Sequence, residues 1–344
     1  MKVPMRAAVL RGAGRPLSIE EVPTPEPGLG EVRLEVVACG FCHTDLHYLD
    51  HGVLTAKPPP VILGHEIAGR IDRLGPGTEE FAMGTPVLVP AVLPCGRCVY
   101  CRAGRENICP EMRMVGNHVD GGFAEYVIVP GKDVVPLPPE IDPVKGCVIS
   151  DALTTPYHAV VRRARVRPGE RVAVIGCGGI GINVVQMAAA AGAFVLAVDR
   201  EDKKLEVAQR LGARWALNPG EDSDLGKDVR RLVGDGMDVA IEAVGSPATI
   251  ALAFTTLRRG GRLCLVGYSS SPAVLPAHRT MFLEYSIVGS LGCRPVDYPR
   301  VIELVRQGRV QLDPVVTGEV SLDEIGVAAD RLRTRVGFRT VVRP

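Results

Sequence analysis

Neither sign of charge is in excess in this chain: among 344 residues, 40 Lys and Arg face 39 Asp and Glu, a formal charge of +1. Such a balance gives no overall pull toward nucleic acid or an anionic membrane, and neither is expected as a partner. No long apolar run is present either. The most apolar stretch, residues 182–198, is interrupted by Asn183, Gln186 and Gly192, and the opening MKVPMRAAVL lacks the apolar block of a secretory signal. A membrane span and an export leader are therefore both unexpected. Internal repeats and low-complexity segments are missing too. The expectation is a cytoplasmic globular chain long enough for two domains. Its ten cysteines suit a reducing compartment, where thiolates are available to metals rather than to disulfides.

Four of those cysteines, Cys95, Cys98, Cys101 and Cys109, fall within fifteen residues as C-x2-C-x2-C-x7-C. The surrounding text, PCGRCVYCRAGRENICP, is rich in Gly, Arg and Pro and poor in large apolar side chains. A lobe of this kind cannot fold by burial alone and draws its stability from a metal. Four thiolates close a tetrahedral zinc shell and leave no position for water or substrate, so the expected role is structural.

From Ala7 to about Val135, short runs such as EVRLEVVACG, HEIAGRIDRLG and TPVLVPAVL alternate with Gly and Pro turns, an antiparallel β pattern without a helical period. After Cys147 the strands become compact and apolar (RVAVIG, FVLAVD, MDVAIEAVG, RLCLVGY, SIVGSL), with helical stretches GINVVQMAAAAGA and EDKKLEVAQRLGA between the first of them. This is a parallel βαβ domain. The remainder reads as helix, loop, helix and a closing strand, FRTVV. The expected division is residues 1–151, then 152–288, then 289–344 returning to the first domain.

RVAVIGCGGIG places Gly176, Gly178 and Gly181 in G-x-G-x-x-G, with Gly179 and Ile180 between them, directly after a strand and before an Ala-rich helix. Backbone amides and the helix N-terminus there can receive a pyrophosphate. Eighteen residues after Gly181 the second strand ends in Asp199, placed to accept hydrogen bonds from an adenosine ribose. NAD is favoured over NADP, although Arg200, next in line, can hold a 2′-phosphate.

Upstream, ACGFCHTDLHYLDHG and LGHEIAG bring Cys42, His65 and Glu66 onto two turns of the β region, residue types that ligate zinc. At this point the chain resembles the zinc-containing medium-chain alcohol dehydrogenases, end to end. The residues that carry the resemblance are CHTDLH from Cys42 to His47, GHE from Gly64 to Glu66, the four-cysteine lobe, GCGGIG from Gly176 to Gly181, and Asp199. The resemblance implies an α/β chain in which a Rossmann dinucleotide-binding domain accompanies a β-rich GroES-like catalytic domain. It implies that Cys42 and His65 bind a catalytic zinc, with Glu66 behind or among the ligands and Asp45 orienting the histidine. Thr44 would touch the substrate oxygen and His47 would pass its proton to solvent. His43 and Arg339 would contact the cofactor pyrophosphate, and Lys204 the adenosine ribose. Two zinc ions and NAD are the implied cofactors, and a homodimer or homotetramer the implied assembly.

One position departs from the best-known members. Their third zinc ligand is a cysteine where this chain has Asp151, just before ALTTPYHA. A carboxylate is a competent ligand and Asp151 is the expected one, with Cys147, one turn earlier if the segment is helical, as the alternative. The implied reaction is reversible oxidation of an alcohol to a ketone or aldehyde, hydride passing to NAD. VPAVLPCGRC and SDALTTPYHA resemble dehydrogenases of alicyclic hydroxyacyl-CoA thioesters, and Ala91 stands where many simple-alcohol enzymes carry a bulky aromatic residue. A small-molecule secondary alcohol, cyclic or bulky, with a CoA thioester among the candidates, is therefore expected. Competing readings are a double-bond reductase of the same superfamily and a non-catalytic nucleotide-binding protein. Intact ligands argue against both.

Overall fold

Alternating apolar residues make Glu31–Phe41 the centre of the first sheet. In the computed structural model, which describes residues 4–220 and 224–344, Val32, Leu34 and Ala38 of this strand are fully buried. Glu66–Leu74, Tyr126–Pro130 and Arg339–Arg343 pair with it, all antiparallel. Pro86–Val89 and Val135–Pro136 extend the sheet on one side, and Val316–Ser321, parallel to Arg339–Arg343, on the other. Phe41 and Phe123 stack at 5.4 Å between ring centroids in the core beneath it. The closing strand thus lies beside the strand that runs into Cys42, with Thr340 opposite Phe41 and Val341 opposite Gly40.

The apolar strands downstream form a separate six-stranded sheet, all parallel. Its order is Ala213–Leu217, Phe194–Val198, Arg171–Ile175, Met237–Glu242, Leu257–Leu265, Ser286–Gly289. Val172, Ala173 and Val174 are fully buried, as continuous apolar strands in parallel sheets are. The chain proceeds from Arg171–Ile175 to one edge and then returns past it. That reversal point is where doubly wound sheets bind ligands. The described residues form two units, one of residues 4–154, Gly292–Arg306 and Leu312–Pro344, the other of residues 155–220, residues 224–291 and Gln307–Gln311. No helix among them is long and apolar enough to cross a membrane.

Two expectations are corrected. The β region does contain a helix, His43–Asp50, which starts immediately after Cys42. Cys42 is extended, its N–H is accepted by Asp45 Oδ2 at 2.9 Å, and Asp45, Leu46, Tyr48 and Leu49 are buried. A helix of eight residues with two histidines and two aspartates shows too little apolar periodicity to be read from its sequence. Around Asp151, moreover, the segment is not one helix. A tight turn, Cys147–Ser150, stops at Asp151 (φ −144°, ψ −53°), and a new helix begins at Thr154. Cys147 and Asp151 consequently do not share a helical face.

Candidate functional site

In the four-cysteine lobe, Cys98 precedes the short helix Val99–Arg102 and its Sγ accepts the Cys101 N–H at 3.5 Å. The Cys95 N–H reaches Cys109 Sγ, also at 3.5 Å. The sulfurs are 3.5 Å apart for Cys98–Cys101, 3.8 Å for Cys98–Cys109 and 3.9 Å for Cys95–Cys101. A tetrahedron with zinc–sulfur bonds of ~2.3 Å has edges of ~3.8 Å. The thiols already have ligand spacing. Backbone N–H groups of Arg97 and Cys98 hold the Cys95 thiol below its ordinary range, which favours the thiolate a metal requires. Apolar burial contributes little: no residue of the helix is buried, and Val99 is 73 % exposed.

The second cluster sits where the central strand ends. One donor atom from each of Cys42, His65, Glu66 and Asp151 lies within 4.8 Å of the others. Asp151 Oδ2 is 3.7 Å from His65 Nε2 and 3.9 Å from Cys42 Sγ. Behind the ring, Asp45 Oδ1 faces His65 Nδ1 at 3.7 Å. A carboxylate there favours the proton on Nδ1 and leaves the Nε2 lone pair toward the cluster. Burial pushes His65 down, but Asp45 and Asp151 outweigh it and draw the ring toward protonation. Glu66 is fully buried, and burial pushes its carboxyl up against the opposing effect of Arg339. The Arg339 guanidinium, equally buried, donates from Nη2 to Glu66 Oε1 at 2.7 Å. Glu66 Oε2 and Asp45 Oδ1 remain buried with no hydrogen-bond partner. Cys42, Glu66 and Asp151 around one buried arginine, with a buried oxygen of Glu66 and one of Asp45 left unsatisfied, fit a divalent cation. Zinc accepts this sulfur, nitrogen and oxygen donor set.

The dinucleotide loop lies in the parallel-sheet unit. Gly176 has φ +88°, a region open to glycine, and a Cβ on Gly181 would lie 1.7 Å from Gly176 O. Gly178 has open space around its missing Cβ, Gly179 O accepts Asn183 Nδ2 at 2.9 Å, and Ile180 precedes the helix Gly181–Ala190. Asp199 closes the loop from the next strand, accepting the Cys177 N–H at 2.7 Å and the Glu201 N–H at 3.0 Å. Lys204 Nζ pairs with Glu201 at 2.6 Å, and the Arg200 carbonyl accepts Asn218 Nδ2.

Comparison with known proteins agrees with this geometry. A family model for the alcohol dehydrogenase GroES-like domain matches residues 28–139, and one for zinc-binding dehydrogenases matches residues 179–307. An alcohol dehydrogenase of Geobacillus stearothermophilus is 35 % identical over 342 residues, covering 98 % of this chain and 99 % of that one. This chain belongs to the zinc-containing medium-chain alcohol dehydrogenase family. An NAD-dependent alcohol dehydrogenase of Sulfurisphaera tokodaii is 33 % identical over 98 % of this dehydrogenase and 99 % of its own length. The crystal structure of the alcohol dehydrogenase from Aeropyrum pernix matches with a TM-score of 0.90 at 35 % identity, covering 98 % and 100 % of the two chains. The expected fold class, a Rossmann domain plus a β-rich GroES-like domain, and the expected zinc and NAD cofactors are those of the family.

Of the site residues expected in this dehydrogenase, Cys42, His65, Glu66 and Asp151 come together, and so do the four lobe cysteines. Cys147 does not join them: its buried thiol donates to Val144 O at 3.2 Å. Thr44 Oγ1 lies 3.8 Å from Cys42 Sγ. His47 Nδ1 meets His51 Nδ1 at 2.9 Å on the same helix face, so one ring donates and the other accepts. Burial, with His47 and Arg339 nearby, lowers the His43 imidazole to about 4. Ala91, expected beside a roomy pocket, is itself buried at 4 % exposure. Two residues escaped sequence reading. A Cβ on Gly40 would lie 2.0 Å from Glu66 Oε2, so glycine makes space for that carboxylate. Glu242, fully buried at a strand end, accepts the N–H groups of Val244 and Gly245 at 2.9 and 2.8 Å. Its only signal is an acidic residue closing an apolar strand.

Proposed function

We propose that this dehydrogenase oxidises a secondary alcohol, ring-bearing or otherwise bulky, to the ketone, reversibly and with NAD as hydride acceptor. The observation that carries the reading is the charge-unbalanced set of buried Cys42, His65 and Glu66 with part-exposed Asp151, and Thr44 beside it. Zinc, when bound, supplies electrophilic assistance to loss of the hydroxyl proton, and NAD accepts the hydride. The chain's own residues do the rest. Cys42, His65 and Asp151 hold the metal, with Glu66 as a further carboxylate, and Asp45 fixes the ring of His65. Thr44 Oγ1 accepts the hydroxyl proton in a hydrogen bond, and His47 carries it toward solvent. Gly176 to Gly181 cradle the pyrophosphate at the helix N-terminus, while Asp199 and Lys204 bind the ribose. Retention of this proton path argues against a double-bond reductase.

The bulky substrate is supported by the small residue at Ala91 and by the strings around Cys95 and Asp151 that resemble hydroxyacyl-CoA dehydrogenases. The test is NAD reduction by the zinc-loaded enzyme with ethanol, cyclohexanol and an alicyclic hydroxyacyl-CoA. Filling apolar space is worth about 1–3 kcal/mol per methylene, so kcat/KM for cyclohexanol should exceed that for ethanol by at least roughly tenfold. Preference for ethanol would sink the bulky-substrate reading. Cys42→Ser should lose turnover while keeping its lobe zinc, and full activity in that variant would sink the site assignment.

The choice of NAD is supported by Asp199, whose charge repels a 2′-phosphate. Asp199→Gly should lower the ratio of kcat/KM for NAD to that for NADP by about 10–100-fold, the value of a hydrogen bond to a charged group. Using the ratio cancels any loss from releasing the Cys177 and Glu201 amides, which both cofactors share. An unchanged ratio would contradict the assignment.

A further inference from the structure

Asp151 stands at a break in the backbone, between the turn Cys147–Ser150 and the helix that starts at Thr154. No regular ladder of hydrogen bonds fixes a residue in such a place. The neighbouring peptide is instead held from three directions. Ser150 Oγ donates to Ile67 O at 3.0 Å, tying the segment to the strand that carries Glu66. Thr154 Oγ1 donates to Ser150 O at 3.2 Å. The third hold is Tyr298: its hydroxyl, on a fully buried side chain, also donates to Ser150 O and accepts the Ala91 N–H at 3.3 Å.

Tyr298 is itself fixed. It opens the helix Tyr298–Arg306, and the residue before it, Asp297, is buried and accepts Arg294 Nε at 2.8 Å. Arg294 Nη1 donates at 2.7 Å to Gly104 O, just beyond the lobe cysteine Cys101. A phenol anchored in this way sets where the Ser150–Asp151 peptide lies, and so where the Asp151 carboxylate meets His65 and Cys42.

We propose that Tyr298 is a positioning residue for the open metal centre, its hydroxyl holding Ser150 so that Asp151 completes the zinc ligands. The proposal rests on the reading of Cys42, His65 and Asp151 as that centre. Tyr298→Phe keeps the ring and its packing but removes one donor to Ser150 O and the acceptor of the Ala91 N–H. Losing an outer hydrogen bond of a ligand typically lowers metal affinity about 10–100-fold.

The experiment is a chelator titration of the full-length, zinc-loaded protein, with zinc per chain followed by atomic absorption. The unaltered protein should release two zincs. In Tyr298→Phe the zinc of the open centre should leave at a free-zinc level about 10–100-fold higher, with release of the lobe zinc unmoved. A general structural weakening would shift both or neither, and either outcome overturns the proposal. Should Tyr298→Phe fail to fold, Ser150→Ala, which removes the tie to Ile67, must show the same selective loss or the proposal falls. Cobalt in the open centre adds a second readout, a shift of its visible bands in the variant, and unchanged bands count against the proposal. If the unaltered protein holds zinc in its lobe alone, the open-centre reading itself is wrong, which separates that failure from a failure of Tyr298.

Discussion

Arg339→Met should lower the unfolding free energy by about 3–5 kcal/mol, the usual cost of breaking a buried ion pair from one side. The guanidinium is 3 % exposed, Glu66 fully buried, and 2.7 Å separates them. With the arginine gone, Glu66 is left in a dry interior beside Cys42 and Asp151, two further acidic groups. Its carboxyl, already pushed up by burial, would then take a proton or draw water into the core. Urea denaturation of the metal-free protein reads the effect most directly, because bound zinc would neutralise part of the stranded charge. Adding Glu66→Gln to the same protein should recover a large part of the loss. A midpoint unchanged by Arg339→Met would show that Glu66 is satisfied by something other than this guanidinium.

Cys98→Ser should remove one zinc of two and unfold the lobe while the rest of the chain stays folded. Structural zinc contributes about 10–16 kcal/mol in isolated zinc-finger peptides. The lobe has little else: its helix buries no side chain, and its visible ties are single bonds such as Lys132 Nζ to Pro94 O at 3.1 Å and Arg294 to Gly104 O. Even a third of the zinc contribution, roughly 3–5 kcal/mol, exceeds what a serine hydroxyl can restore. Limited proteolysis should cut within residues 96–105, where Arg97, Arg102 and Arg105 offer trypsin sites, and zinc analysis should fall to one per chain. A variant that keeps two zincs and resists trypsin there would contradict the structural assignment of Cys95, Cys98, Cys101 and Cys109.

Features carried by contiguous residues were legible in the sequence. The lobe cysteines span fifteen positions, and the glycine loop follows its strand and precedes its helix without interruption. Both are local, so spacing alone conveys their geometry. Asp151 was legible too, though only through resemblance, since nothing in SDALTTPYHA indicates which neighbour it meets. What escaped depends on distant contacts. Gly40 looks like any strand glycine until the Glu66 carboxylate occupies the place of its missing Cβ. Arg339 was expected to serve the cofactor, and its pairing with Glu66 joins residues 273 positions apart. The helix His43–Asp50 was hidden because its stability comes from burying Leu46, Tyr48 and Leu49 against the first unit's core rather than from its own periodicity. Tyr298 carries no motif at all. It acts through a backbone carbonyl, and any sequence can supply one.

The placement of Arg339–Arg343 beside Glu31–Phe41 also governs how the protein is born. A ribosome adding about 5–20 residues per second needs on the order of 15–60 s to travel from one strand to the other. Throughout that interval Cys39, Gly40 and Phe41 lack the closing strand on one edge, although Tyr126–Pro130 can already pair with residues 31–35 there, and Glu66 has no arginine to meet. Open strand edges invite pairing with other chains. The nascent polypeptide therefore completes its reactive centre only once Arg339–Arg343 has been made, and a chain interrupted before that strand would be aggregation-prone.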